Sequence, residues 1–395
     1  MSSLPIVRVE EASLGADAQV RLVVSRVSDL RRLRSAWASS GAALERVGER
    51  LYATTTVDAL ARAAGRSLEP REAAALDRIL RETIAAWTGP SPALRCVGAR
   101  LEVGMRPLVM GIVNVTPDSF SDGGRLYPES HPQAAIAQGR RLLEQGADVL
   151  DVGGESTRPG SRPVDQDEEL RRVLPVIEGL VTLGALCSID TRKPDVARAA
   201  LQAGAVIVND VSGGADPHLL DVTAAAGAGY VLMHTRGTPE EMARLASYTD
   251  VVAEVYEFLV DGLNRCDAAG IDAHRVLVDP GLGFAKTPEQ NLALLRALRQ
   301  FRGLGRPVLV GASRKSFLGA PVGLGGPEER LEGSLACAAA AVLAGSGALR
   351  VHDVEATVRV ARVARAVATG RLDWPETRVD ASRPSPPADS SRRRA

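Results

Sequence analysis

The stretch ALCSIDTRKPDVARAALQAGAVIVND, residues 185–210, decides the fold. It opens with a short apolar run ending on Asp190 and passes through TRK to a proline suited to the first turn of a helix. The helical pattern closes on Gly204, and a second apolar run follows, ending at Asn209 and Asp210. Strand, helix and strand in this order form one βαβ unit, which places the two polar strand ends side by side.

The same rhythm runs outward in both directions. Eight strand candidates stand between about Leu108 and Asp353: LVMGIVN, ADVLDVG, ALCSID, AVIVND, YVLMH, RVLVD, PVLVGAS and LRVHD. Each ends on or next to a polar residue, in turn Asn114, Asp151, Asp190, Asn209, His234, Asp279, Ser313 and His352. Eight such units over about 260 residues predict an α/β fold, a (β/α)8 TIM barrel, whose reactive groups gather at the C-terminal strand ends. An open doubly wound sheet is the competing architecture, but no nucleotide fingerprint or Walker loop supports it.

Residues 1–95 lack this rhythm and read as a small N-terminal α/β domain, with strands near PIVRVE and VRLVVS and helices over 28–48 and 71–87. The barrel is assigned to residues 96–375. Residues 376–395, rich in Pro, Ser and Arg, read as a disordered tail that cannot offset its ordering entropy by burial.

Bulk properties narrow the class. The formal net charge is zero, so no global basic field gathers nucleic acid or anionic lipid. Cys96, Cys187, Cys266 and Cys337 are far apart and form no zinc pattern. The N-terminus lacks a signal-like pattern, and LACAAAAVLAG at 335–345 is too short to span a bilayer. The expectation is a cytoplasmic protein with neither membrane nor nucleic-acid partner.

The polar strand ends carry the chemistry. One Asp at a strand end is often only a helix N-cap, but Asp190, Asn209 and Asp279 converging in one mouth suit a flat heterocycle with adjacent N–H donors. Donors come from Thr157 and Arg158 in STRPG, from Ser313, Arg314 and Lys315 in ASRK, and from Arg350 and His352. The last two are two apart on a strand and share a face, beside the loops where barrels of this type hold phosphate; the plainer alternative is a solvated Arg and a core His. The loops NVTPDSFSDGG (114–124) and GGESTRPGS (153–161) read as mobile lids, with long surface loops as the alternative.

Lysine usage adds a pointer. Only Lys193, Lys286 and Lys315 stand among the 48 Lys and Arg residues. A retained lysine suggests a place where a compact ammonium cannot be exchanged for a planar guanidinium. Of the three, Lys315 is expected to act directly, and the other two read as rim residues.

Together, LVMGIVNVTPDSFSDGG, ADVLDVGGESTRPGS, SIDTRKPDVARAAL, VNDVSGG, VLVDPGLGFAKT, PVLVGASRKSFLG and RVHDV resemble dihydropteroate synthase over about residues 100–370. That resemblance implies condensation of 6-hydroxymethyl-7,8-dihydropterin diphosphate with 4-aminobenzoate, releasing diphosphate with Mg²⁺ assistance. It implies that Asp190, Asn209, Asp279 and Lys315 hold the pterin, with Met233 and Phe284 lining its slot unless they are simply core. Arg350, His352 and Asn114 match the diphosphate and metal end, Asn114 being the metal candidate. Thr157, Arg158 and Ser313 match the aminobenzoate loops, and Phe120 and Asp122 the first mobile loop. Asp190, Lys315, Asp122 and Arg350 are the expected catalytic set, in an enzyme expected to be a homodimer. The rivals are a pterin-dependent methyltransferase barrel, which has no use for Arg350, His352 or the SRK loop, and a non-catalytic pterin-binding paralogue, which predicts losses in TPDSFSDGG or STRPG.

Overall fold

The computed structural model describes residues 5–12, 19–39, 41–104, 106–116, 131–156, 161, 163–323 and 326–375. The expected disordered tail lies outside them. Strands β1 (Ile6–Ala12), β2 (Val20–Ser25), β3 (Ala43–Val47) and β4 (Arg50–Thr55) form an antiparallel sheet in the order β1-β2-β4-β3. Helices α1 (Leu30–Ala38), α2 (Val57–Ser67) and α3 (Pro70–Thr88) accompany it. Val20, Leu22 and Val24 of β2 pack with Leu33, Trp37, Leu60, Leu76 and Leu80 in a core separate from that of the barrel.

One expectation is corrected here. The helix predicted over 28–48 stops at Ala38, and a β-hairpin begins at Ala43. Gly41 takes φ +82°, a left-handed turn that ends the helix, after which the chain pairs as Leu44 with Ala53 and Arg46 with Leu51. Tertiary pairing overrides local helix propensity in this segment.

A short hairpin, β5 (Leu94–Cys96) with β6 (Ala99–Leu101), leads into the barrel. Leu94, Ala99 and Leu101 pack against Leu108, Met110, Val149, Leu186, Ile207, Val231, Leu277, Leu309 and Ala348, at or near the beginnings of the barrel strands. The hairpin therefore stops the N-terminal end of the barrel with apolar side chains.

Eight parallel strands follow: β7 (Leu108–Asn114), β8 (Val149–Gly153), β9 (Cys187–Asp190), β10 (Ile207–Asp210), β11 (Gly229–Met233), β12 (Val276–Asp279), β13 (Leu309–Val310) and β14 (Ala348–Val351). They alternate with α4 (His131–Glu144), α5 (Gln166–Thr182), α6 (Pro194–Gln202), α7 (Pro217–Ala226), α8 (Val251–Ala268), α9 (Pro288–Arg296), α10 (Leu331–Leu343) and α11 (Val354–Thr369). The strand order β12-β11-β10-β9-β8-β7-β14-β13 is closed by a parallel bridge between Val278 and Val308, so the sheet forms the expected (β/α)8 barrel.

The N-terminal unit docks on α8 and the 3-10 turn Leu298–Leu304. The Tyr256 hydroxyl donates to the Val7 carbonyl at 3.0 Å, Arg26 grips Asp261 through two bonds of 2.5 and 2.8 Å, and Arg50 meets Glu257 at 3.2 Å. Ile6 joins the barrel's own core. The polar pairs are partly exposed and each adds only a few tenths of a kcal/mol, so the buried apolar contact does more to hold the units together. Among the described residues, no helix is long and apolar enough to cross a membrane.

Candidate active site

Parallel register aligns the polar strand ends. Asn114 pairs with Gly153, Gly153 with Asp190, Asp190 with Asn209, and Met233 with Asp279. Parallel strands carry their C-terminal ends to one pole, so these side chains share the barrel mouth.

A guanidinium organises its centre. Arg350 of β14 donates through Nε to Asp151 Oδ2 at 2.6 Å and through Nη2 to Asp190 Oδ2 at 2.7 Å. Asp151 Oδ2 also accepts from Asn209 Nδ2 at 2.9 Å. Strands β8, β9, β10 and β14 are thereby tied into one charge-assisted network.

A second cluster stands beside it. A β-carbon placed on Gly311 would lie 3.9 Å from each of Arg350 Cβ, Asp279 Oδ2 and Lys315 Nζ, so these three groups surround one point that glycine leaves open. Lys315 Nζ donates to the Leu282 carbonyl and sits 4.6 Å from the centre of the Phe284 ring. Ser313 Oγ lies 3.0 Å from His352 Nδ1 and accepts the His352 backbone N–H at 3.1 Å.

Burial tunes these groups. Asp190 is raised to about 7 by desolvation, which Arg350 opposes and the negative charges of Asp151, Glu169 and Asp210 reinforce. Asp279 is raised for the same first reason, while Lys315 is lowered to about 8 by desolvation against the pull of Asp279. Arg350 is held above the ordinary arginine range by the adjacent carboxylates, which outweigh its desolvation. A cavity of about 290 Å³ opens next to Asp190 and Phe284, walled by Thr191, Val211, Ser212 and Met242.

Residues 110–352 match a protein-family model described as pterin binding enzyme. The dihydropteroate synthase of Synechocystis sp. is 45% identical over 266 residues, covering 67% of this chain and 91% of that protein. The chain belongs to the dihydropteroate synthase family. The Mycobacterium leprae dihydropteroate synthase is 47% identical over 262 residues, 65% of this chain and 91% of that protein. Among solved structures, Xanthomonas albilineans dihydropteroate synthase with 4-aminobenzoic acid superposes with a TM-score of 0.66 at 49% identity, over 71% of this chain and 99% of that one. The same enzyme in complex with 7,8-dihydropteroate gives 0.64 at 47% identity, over 70% and 99%.

Of the residues singled out in the sequence, the dihydropteroate synthase barrel brings Asn114, Asp190, Asn209, Met233, Asp279, Phe284, Ser313, Lys315, Arg350 and His352 to this one mouth. Phe120, Asp122, Thr157 and Arg158 lie outside the described residues. Ser313, matched to the aminobenzoate loops, hydrogen-bonds His352 of the diphosphate group.

Lys193 and Lys286, read as rim residues, are both partly exposed and both paired. Lys193 Nζ joins Glu155, at 2.5 Å, and Glu169, and the Glu169 side chain is fully buried. Lys286 Nζ reaches His234 Nδ1 at 2.9 Å and the Gly281 and Phe284 carbonyls at 2.8 Å each. Asp151, read in the sequence as a strand end but given no part in the site, is fully buried and accepts from both Arg350 and Asn209. Its signal was an acid set inside an otherwise apolar strand, ADVLDVG.

Proposed function

We propose that this transferase joins 6-hydroxymethyl-7,8-dihydropterin diphosphate to 4-aminobenzoate, giving 7,8-dihydropteroate and diphosphate. The observation carrying this reading is the gathering of Asp279, Lys315 and Arg350 about the open point beside Gly311, with Arg350 linked onward to Asp190, Asp151 and Asn209. Carboxylates and an amide can take the N–H edge of a pterin, Lys315 its carbonyl side, and the Phe284 ring one edge of its slot.

The chemistry asks for little covalent work from the chain. The arylamine nitrogen forms a bond to the pterin CH₂ carbon as the C–O bond to diphosphate breaks, and the amine proton leaves to solvent. Arg350 and His352 offset charge on the departing oxygens, while Asp190 supplies negative charge near the electron-deficient pterin. The donors available for Mg²⁺ suit an ion that arrives with the diphosphate. Among the described residues no cluster of three His, Cys, Asp or Glu side chains could cage it, and Mg²⁺ characteristically takes one or two protein oxygens together with phosphate and water. Asn114 would supply an amide oxygen, and the bound ion would neutralise diphosphate charge.

Incubating the purified chain with both substrates and Mg²⁺ should yield dihydropteroate, with turnover falling to background on chelation by EDTA and returning with Mg²⁺. Product from methyltetrahydrofolate and a corrinoid acceptor, with none from the aminobenzoate mixture, would move the chain to the methyltransferase reading.

The enzyme is further proposed to be a cytoplasmic homodimer formed through α10 and α11. Val363 and Val367 of α11 are 65% and 73% exposed, and Leu343 of α10 is 48% exposed, so neighbouring helices present an apolar surface that a second copy would cover. Sedimentation should show wild type as a dimer and Val367→Glu as a monomer. A wild-type monomer at micromolar concentration would end this part of the proposal.

A further inference from the structure

The loop leaving β12, PGLGFAKT at 280–287, is pinned from two sides. Its backbone is left-handed at Gly281, Gly283 and Ala285, with φ of +68°, +82° and +47°. Alanine holds that conformation only where its surroundings impose it. Ala285 is buried, and the residue that follows it carries the restraint.

Lys286 folds back behind the loop. Its Nζ donates to the Gly281 and Phe284 carbonyls, each at 2.8 Å, and lies 2.9 Å from His234 Nδ1. Three polar partners thus surround this nitrogen, whose pKa desolvation pulls well below the ordinary lysine range against the attraction of Asp279. The histidine is fitted to that role: desolvation and the Lys286 charge drive its pKa down to about 2, so the ring stays neutral. Its Nδ1 faces Lys286 Nζ and completes that nitrogen's set of polar partners. Phe258 meets the imidazole edge-on at 4.8 Å between centres, and the His234 backbone N–H donates to the Asp279 carbonyl at 2.9 Å.

The opposite side of the loop faces the site. The Leu282 carbonyl seats Lys315 Nζ, the Phe284 ring lies under the same ammonium, and the Gly281 N–H donates to Asp279 Oδ1 at 2.7 Å. Phe284 lines the cavity, whereas Lys286 does not. One lysine thus holds the back of a loop whose front positions another.

We propose that Lys286 is a positioning residue for the condensation: keyed by His234, it sets the Phe284 ring and the Leu282 carbonyl where they hold Lys315 against the pterin diphosphate. This rests on the functional reading above.

The test uses the full chain and its pH profile of kcat/KM for pterin diphosphate. Lys286→Met keeps the stem and removes all three bonds. It should raise KM for pterin diphosphate about ten- to hundred-fold. Water entering beside Lys315 should also move the alkaline limb upward from about 8, toward the ordinary lysine range. His234→Leu should produce the same displacement, while His234→Gln, which retains an acceptor oxygen, should restore the wild-type limb. If Lys286→Met does not fold, the two His234 variants carry the decision. A limb unmoved in Lys286→Met, or in His234→Leu, overturns the proposal, including when activity falls only in step with the folded fraction. An inactive wild type would instead remove the functional reading.

Discussion

Arg350→Met is expected to reduce kcat/KM about a thousandfold and to destabilise the protein by about 3–5 kcal/mol near pH 8. Both effects have one origin. The guanidinium lies between Asp151 and Asp190, at 2.6 and 2.7 Å, and both carboxylates are buried. Methionine fills much of the volume but leaves two acids facing each other without a cation. The destabilisation should depend on pH with a defined sign. Asp190 is raised to about 7 even with Arg350 present, and losing the opposing charge raises it further. A carboxyl whose folded pKa lies above its unfolded value, about 3.9, favours folding in its protonated form, and that contribution is lost as pH rises through the folded pKa. The variant should therefore recover stability relative to wild type on acidification from pH 8 to pH 6. Urea unfolding at the two pH values reads this directly, and a variant within 1 kcal/mol of wild type at pH 8 would show that the network is not the keystone described.

Lys315→Ala should cost about a hundred- to a thousandfold in kcat/KM, and Lys315→Arg should not restore it. The space around the stem is the reason. A β-carbon on Gly283 would come within 2.8 Å of Lys315 Cδ, and the ammonium is shared between the Leu282 carbonyl and the Phe284 ring, leaving little room for a planar fork. The wild-type pH profile should be narrow. Asp190 must be ionised, so activity is lost as pH falls through about 7. Lys315 must be protonated, so activity is lost as pH rises through about 8. In Lys315→Ala the residual activity should keep the acid limb and lose the alkaline one. A wild-type rate that stays level from pH 7.5 to 9.5 would contradict the assignment of Lys315.

Most of the architecture was legible in the residues because strand and helix periods are local properties. A run such as AVIVND announces a buried strand, its polar terminus marks the mouth, and a following helix returns the chain to begin another unit. The same logic sets Asp190, Asn209, Asp279, Lys315 and Arg350 at one pole. It failed over 28–48, where a hairpin paired across the sheet replaced the expected helix.

What the chain alone determined, then, was which side chains stand at strand ends, since that depends on spacing along the backbone. Which partner each one meets depended on barrel closure. Arg350 reaches Asp151 across 199 positions of sequence, Lys193 turns inward to Glu169, and Lys286 turns back to His234. Such pairings arise when eight strands close into a ring and buried charges must find counterparts in the space that remains, a condition no local pattern records.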